Sequence, residues 1–155
     1  MIKKSESVLH TNERVNIKFE GVDFINPFSD QTKTTHIQFS LSKFNTSTCN
    51  WTKIHSTELL NFCSNPKFES GIIMDYSFEK RQILQIKSIH IDTSNSDTIL
   101  SKAVCIFELT SLVSSKDNML KLGLLEEKNE EEEEIAGPVL GYASLKYEII
   151  KNDNF

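Results

Sequence analysis

The sequence predicts a single all-β domain, an eight-stranded antiparallel β-sandwich, on three observations. Apolar and polar residues alternate with a period of two along much of the chain, as in strands that bury one face. About eight such short runs are separated by turn residues, a spacing typical of sandwiches and barrels. No long stripe of helical periodicity interrupts them, and 155 residues are enough for one domain.

The elements follow in order from this alternation. Val15, Ile17 and Phe19 alternate with polar residues and predict a first strand that ends at Gly21. Proline and asparagine at 64–67 predict a turn, because proline fixes φ and asparagine tolerates turn geometry. The other predicted strands are 36–41, 51–54, 71–78, 82–91, 102–108, 119–125 and 139–150. We expect the strand at 71–78 to be the more buried kind and 109–114 to form a short turn.

Composition and charge exclude several classes of function. The net charge is -5 and the pI about 5.4, whereas nucleic-acid binders usually carry a basic stripe and a high pI. The N-terminus lacks the apolar stretch of a secretory signal, and no apolar run approaches the roughly 20 residues that cross a bilayer. We therefore expect an intracellular protein, soluble or peripheral at a membrane. Three Cys residues without a Cys-x-x-Cys pair indicate neither a disulfide framework nor zinc.

One segment is strongly biased in composition. Residues 126–134 carry seven Glu among nine positions, which favours a solvated loop because like charges repel. Such a loop would also repel anionic lipid wherever it faced a membrane. The expected organisation is an N-terminal tail at 1–14, a domain at 15–150 that includes this acidic loop, and a C-terminal tail at 151–155.

Several motifs, taken in order, resemble the C2 domain of the copine type. The family carries a first strand, a Thr-Glu, an Asn-Pro-x-Phe, an Asp-Tyr and a Leu-rich segment at matching separations. The corresponding stretches here are 15–21, Thr57-Glu58, Asn65-Pro66-Lys67-Phe68, Met74-Asp75-Tyr76, 78–82 and 107–113. The resemblance covers 15–150 and implies an eight-stranded antiparallel sandwich that binds phospholipid or protein.

The same resemblance implies where calcium would bind. Calcium-binding members place carboxylates on loops at one end of the sandwich, since this hard dication needs several oxygen ligands. Aligned without gaps, the two early Asp positions fall on Phe28 and Thr34, and the later Asp-x-Asp falls on His90 and Asp92. The final Asp position falls on Thr98.

Few of these carboxylates are therefore retained. Asp92 is in place, Asp97 substitutes after a shift of one residue, and Asp30 enters if the first loop is threaded differently. We expect a calcium-blind domain with no cofactor, in which Asp92 forms a turn with its own backbone and His90 lies at a loop edge.

The sequence offers no enzyme signature. It contains no glycine-rich phosphate loop and no Gly-x-Ser-x-Gly elbow. A pair of Cys63 and His55 stays open, because catalytic groups assemble in space rather than in sequence. We expect a protein that binds and does not catalyse.

Two binding functions remain. The first is a calcium-independent docking module for a protein partner or larger assembly, with the sandwich as a rigid scaffold for loops. The second is peripheral binding to anionic phospholipid. There Phe28 and Ile25 would insert into the interface, and cationic side chains would attract phosphate. These cations are Lys33, Lys53, Lys67, Lys80, Arg81 and Lys87. The two hypotheses differ in whether the cations converge on one face.

Overall fold

Nine strands account for most of the structure. The computed structural model describes residues 12–26, 35–77, 79–94, 98–127 and 138–150. The strands in these segments are β1 (Asn12–Val22), β2 (Thr35–Asn45), β3 (Asn50–Ser56), β4 (Leu60–Asn61), β5 (Ile72–Ser77), β6 (Ile83–Asp92), β7 (Thr98–Glu108), β8 (Met119–Glu126) and β9 (Val139–Ile150). Helix α1 spans Leu109–Val113, and a 3₁₀ turn follows at Lys116–Asn118.

The strands form two antiparallel layers. The first has the order β3-β2-β6-β7, with β4 also paired to β2, and the second has the order β8-β9-β1-β5. The layers join where β7 meets β8 in two residue pairs, Ala103 with Glu126 and Val104 with Leu125. The sheet thus folds over on itself into a sandwich that is nearly a barrel, which confirms the predicted fold class.

The core lies between the two layers and follows the period-two pattern. Along β6, every second residue is buried, starting from Leu84. Side chains of both layers belong to one cluster, which includes Val15, Ile17, Phe19, Ile37, Phe39, Leu41, Leu84 and Ile86. Each large apolar side chain removed from water contributes about 1.5–3 kcal/mol, and this burial holds the layers together.

The sandwich has two ends that differ in their connections. At the terminal end, β1 begins beside the end of β9, with Arg14 opposite Ile150. The connections β2–β3, β5–β6 and β7–β8 also lie there. At the loop end lie the connections β1–β2, β6–β7 and β8–β9. The strand ends Asp92 and Thr98, and the strand ends that flank the acidic segment, Glu126 and Val139, therefore share the loop end.

The chain between β7 and β8 is helical rather than the predicted turn. Leu109 and Leu112 of α1 are buried, and the Tyr147 hydroxyl on β9 donates a hydrogen bond to the Val113 carbonyl oxygen. The 109–114 prediction was wrong because five residues are too few to show a helical period, so apolar burial alone defines this helix.

Four further predictions need correction. The strand at 71–78 was expected to be more buried, but β5 is an edge strand in which Ile73 is 51% exposed. The first strand begins at Asn12, three residues before the expected start of the domain. β7 begins at Thr98 rather than at 102, and the two-residue strand β4 lies where no strand was predicted. Strand ends are weakly specified by periodicity, because pairing partners fix them.

Candidate functional site

Asp92 is the predicted calcium ligand that the structure describes. It is the last residue of β6, lies at the loop end and is 4% exposed. Its Oδ1 accepts hydrogen bonds from the Ser94 backbone N–H at 3.0 Å and from the Ser94 hydroxyl at 2.5 Å. The carboxylate therefore closes the turn after β6, as an Asx turn does. Asp30 and Asp97, the other two predicted ligands, lie outside the described residues.

The side chain two residues earlier differs from the expectation. His90 is fully buried in β6 and is not a loop-edge residue, so that interpretation was wrong. Its ring lies between Phe24 and Phe62, with centroids 5.9 and 5.3 Å away. Nδ1 lies 3.3 Å from the Ser101 hydroxyl, whereas Nε2 has no hydrogen-bond partner. Alternation with Leu84 already placed position 90 on the core-facing side, and that signal was overlooked.

Burial sets the charge state of His90. Removal from water lowers the pKa of the imidazole to about 4, because the protonated ring loses its hydration. The ring is therefore neutral at physiological pH. The Ser88 hydroxyl, on the same side of β6, is also buried without a partner. Where calcium-binding members would present an Asp-x-Asp, this chain has a neutral, buried imidazole and a carboxylate that closes a turn.

No metal site is assembled in the described segments. They contain no group of three or more His, Cys, Asp or Glu side chains placed to hold a metal ion. A calcium site needs six to eight oxygen ligands, several of them carboxylates. Within this part of the chain, Asp92 by itself falls well short of that requirement.

The Asn-Pro-x-Phe motif has a structural role at the loop end. The Asn65 side-chain oxygen accepts from the Asp23 N–H at 3.0 Å, and the Pro66 carbonyl accepts from the Gly21 N–H at 2.7 Å. A Cβ on Gly21 would lie 2.7 Å from Pro66 Cγ, so only glycine permits this approach. These bonds tie the segment before β5 to the end of β1.

The Thr-Glu motif fixes the other end of the same segment. The Thr57 hydroxyl accepts from the Phe39 N–H at 2.9 Å. The Glu58 carboxylate accepts from the backbone N–H groups of Glu69 and Ser70, at 2.7 and 3.3 Å. Desolvation opposes ionisation of Glu58, but these N–H bonds and nearby His55 outweigh it and lower its pKa. The motif therefore holds the β4–β5 connection against β2.

We expect Glu58→Ala to lower the free energy of unfolding by about 1–2 kcal/mol, because two backbone donors lose a charged acceptor. Glu58→Gln keeps one acceptor oxygen and loses about half as much. Urea unfolding followed by circular dichroism measures both. Glu69→Ala is the matched control, since it leaves the Glu69 N–H in place. Equal urea midpoints for the Glu58→Ala and Glu69→Ala proteins would contradict the role given to this carboxylate.

His55 pairs with a serine and not with a cysteine. Its Nε2 lies 3.0 Å from the Ser70 hydroxyl, and its ring stacks on Phe19. Desolvation lowers the pKa of this imidazole, with nearby Glu58 acting in the opposite direction. Cys63 is exposed in the connection after β4. The hydrogen bond to Ser70 adds His55 to the contacts that fix the β4–β5 connection.

The cations proposed for lipid binding do not converge. Lys53 on β3 and Lys87 on β6 belong to the first layer, and Lys87 pairs with Glu127 at 3.4 Å. The backbone of Lys67 forms an isolated β-bridge with that of Glu20 on β1, in the second layer. Lys80 and Arg81 lie in the β5–β6 connection at the terminal end. Phe28 and Lys33 lie outside the described residues, while Ile25, the second proposed inserting residue, is 58% exposed at the loop end.

A groove at the opposite end was not predicted from the sequence. It measures about 800 Å³ and lies between the edge strands β3 and β5 near the terminal end. Its apolar lining includes Ile54, Ile72 and Met74, and its cationic lining consists of Lys43, Lys80 and Arg81. Lys43 lies on β2 and Lys80 and Arg81 in the β5–β6 connection, far apart in the sequence, so only the strand arrangement reveals the groove.

Solved structures share this architecture. A C2 domain of plant extended synaptotagmin 1 superposes with a TM-score of 0.54 at 12% identity, covering 90% of this chain and 97% of that one. The fold is that of a C2 domain. Human GIVD cytosolic phospholipase A2 gives a TM-score of 0.56 at 12% identity, covering 93% of this chain but 18% of the enzyme.

CC2D1B is a third structural neighbour of this C2 fold. Described as coordinating ESCRT-III activity during mitotic reformation of the nuclear envelope, it gives a TM-score of 0.58 at 13% identity, covering 88% of this chain and 54% of that one. No protein-family model and no curated protein matches the sequence of this chain. The structural superpositions establish the fold, and the copine-type assignment stays a prediction.

Helices contribute little to this C2 fold. None of those in the described segments has the length and apolar character required to span a bilayer.

Proposed function

We propose that this C2-fold chain is a calcium-independent docking module that acts by binding a protein partner or assembly and not by catalysis. The state of the β6 terminus is the observation that supports it. Asp92 uses Oδ1 to close its own turn, and His90 is neutral and buried in the core. Neither side chain is presented to a metal ion entering from solvent.

The charge distribution supports the same proposal. The strand ends that flank the acidic segment, Glu126 and Val139, both lie at the loop end. Seven Glu residues between 126 and 134 make that stretch of sequence strongly anionic, which opposes contact with anionic lipid. Of the described cations proposed for lipid binding, Lys53, Lys67 and Lys87 divide between the two layers, and Lys80 and Arg81 lie at the terminal end. A lipid surface is flat, and this scattered arrangement gives it few simultaneous contacts.

Co-sedimentation with phosphatidylserine vesicles tests the proposal, with calcium or chelator at near-physiological salt. We expect the protein to remain in the supernatant in both conditions, and calorimetric titration with calcium to give no saturable heat. Pelleting with calcium alone would overturn the proposal and indicate that a site is rebuilt from the predicted ligands. Pelleting in both conditions would instead support phospholipid binding through the cations.

If the protein pellets with calcium alone, a triple variant shows whether the predicted ligands are responsible. Asp30→Asn, Asp92→Asn and Asp97→Asn together remove every predicted calcium ligand, while the amide introduced at position 92 retains a side-chain oxygen for the Ser94 turn. If calcium-dependent pelleting occurs and the triple variant abolishes it, those residues form the site. A Lys53→Glu and Lys87→Glu double variant tests the first-layer cations in the same assay.

A further inference from the structure

The side of the sandwich opposite the β7–β8 junction has two open strand edges. β5 pairs with β1 through residues 72–77, and β3 pairs with β2 through residues 50–56. Within the described segments, neither strand pairs with another on its far side. On β5, however, the Gln82 side chain already bonds the Asp75 carbonyl oxygen and the Ser77 N–H, and the Lys80 N–H bonds the Ser77 carbonyl oxygen, so the open part of this edge lies around Ile73. An open edge presents a row of backbone N–H and C=O groups that can accept one more strand.

The groove between these edges has an apolar floor. Ile54 of β3 and Ile72 and Met74 of β5 are half-buried and pack against the core from the groove side. Ile72 and Met74 are two positions apart on one strand, so both side chains project to the same face. This spacing matches the alternate side chains of an extended peptide laid beside β5.

Cationic groups border the same floor. No ion pair in the described part of the chain involves Lys43 or Lys80, although both line the groove. Arg81 forms a two-pronged contact with Glu108, each N–O distance being 3.2 Å. Asp75, the acidic lining residue, lies 3.7 Å from Arg14. The groove thus has free positive charge in a chain whose net charge is -5.

We propose that this groove binds an extended acidic peptide segment of a partner protein, which pairs as an additional strand with the open part of the β5 edge around Ile73. Backbone hydrogen bonds to β5 provide the part of the affinity that does not depend on the peptide sequence, as in other cases of strand addition. Apolar side chains of the peptide contact Ile54, Ile72 and Met74, and its carboxylates lie near Lys43 and Lys80. The proposal rests on the docking function proposed above and specifies its site and its class of partner.

The charge pattern favours a peptide of this composition over other occupants. A six-residue edge matches roughly 20 Å of extended chain. Free ammonium groups beside an apolar floor complement carboxylates that alternate with apolar residues, because each face of the peptide then meets its matching surface. A basic peptide would instead bring like charges together.

The test uses a fluorescein-labelled peptide of alternating Glu and Val, about nine residues long to span the edge, in fluorescence anisotropy with the full chain and chelator. We expect saturable binding that weakens at high salt. The Lys43→Glu and Lys80→Glu double variant should bind about tenfold more weakly, since two attractive charges become repulsive. Lys116→Glu and Lys121→Glu, which lie outside the groove, form the matched control and should stay within about twofold.

Backbone pairing has its own test. A peptide of the same sequence with alternate backbone nitrogens methylated keeps its charge but loses its donors, and we expect about a tenfold loss of affinity. Amide shifts in nuclear magnetic resonance spectra should be largest across 72–75. Equal binding of the methylated peptide, or an unchanged affinity in the Lys43 and Lys80 variant, would overturn the proposal, as would no peptide binding.

Other occupants give separate outcomes. Concentration-dependent dimerisation through β5 in sedimentation velocity, abolished by the groove variant, would assign the groove to a second copy and overturn the proposal. Competition by inositol phosphate without binding of the Glu-Val peptide would also overturn it. If the peptide does not bind and the protein does not respond to calcium, only this groove is ruled out as the site. If the protein pellets with vesicles in the presence of calcium, the docking function proposed above is ruled out.

Discussion

Between pH 7 and pH 5, the His90→Leu variant should lose about 2 kcal/mol less stability than the unsubstituted protein, because the contribution of this one group is removed. His90 is neutral in the folded state, with its pKa lowered to about 4 by burial, while the unfolded chain titrates near 6.5. Between these values the unfolded state binds a proton that the folded state does not. Stability therefore falls as the pH falls through this window, by about 3 kcal/mol in total.

Leucine is a suitable replacement because the ring packs on Phe24 and Phe62 and because Nε2 makes no hydrogen bond. Leucine removes the Nδ1 contact with the Ser101 hydroxyl, but this loss is the same at every pH and does not alter the predicted pH dependence. Urea unfolding at several pH values gives the difference between the two proteins, in which the titration of carboxylates common to both cancels.

The control for His90 is another histidine in the same layer. His36 on β2 is half-buried, and its Nδ1 lies 3.1 Å from the Thr93 hydroxyl. We expect His36→Leu to retain the acid-sensitive loss of stability. An identical pH dependence in the His90→Leu and unsubstituted proteins would show that the ring is not held neutral in the core.

Gly141→Ala should destabilise the domain by about 2–3 kcal/mol, near the upper range for overpacking a core. A Cβ at this position would lie 2.4 Å from both Cγ and Cδ1 of Phe24, closer than carbon atoms approach without displacement. Phe24 is buried and contacts the rings of Phe39 and His90, so it cannot move without disturbing both. The backbone at Gly141 has no positive φ, so the contact itself causes the loss.

Gly123 supplies a matched control one strand away. It lies on β8, where its neighbour Leu124 pairs with Gly141, and a Cβ there would meet the Tyr142 ring at 3.5 Å, an ordinary contact. We expect Gly123→Ala to be neutral or slightly stabilising, since glycine loses more backbone entropy on folding. Thermal and urea unfolding compare the two variants. Equal losses of stability in both would indicate a general intolerance of these strands and contradict the role assigned to Phe24.

The fold could be predicted well from the sequence where one face of a strand is buried. β9 has the predicted bounds, 139–150, and β6 is shifted by one residue from 82–91 to Ile83–Asp92. Both strands lie inside a layer and have clear inward and outward faces, which a period of two reports directly. β5 has a similar apolar composition but lies at an edge, and composition does not distinguish an edge from an interior strand.

The candidate site was less predictable for a physical reason. Asp92 could be singled out because it follows a strand, and its turn-forming role was among the expected alternatives. The groove depends on β3 and β5 facing each other across the open side of the sandwich. Strand order fixes that arrangement through pairings distant in sequence, and no local pattern around Lys43 or Lys80 encodes it.

The pairing of β1 with β9 has a consequence for how the protein is made. Nine residue pairs, from Arg14 to Val22, join the first strand to the last, so these contacts close a loop of more than 100 residues. Such non-local topologies fold in milliseconds to seconds, slowly for a domain of this size. During synthesis, β1 leaves the ribosome roughly ten seconds before β9 has been translated. Throughout that interval β1 can pair with β5 alone, so the edge that β9 later covers stays open until the last strand is made.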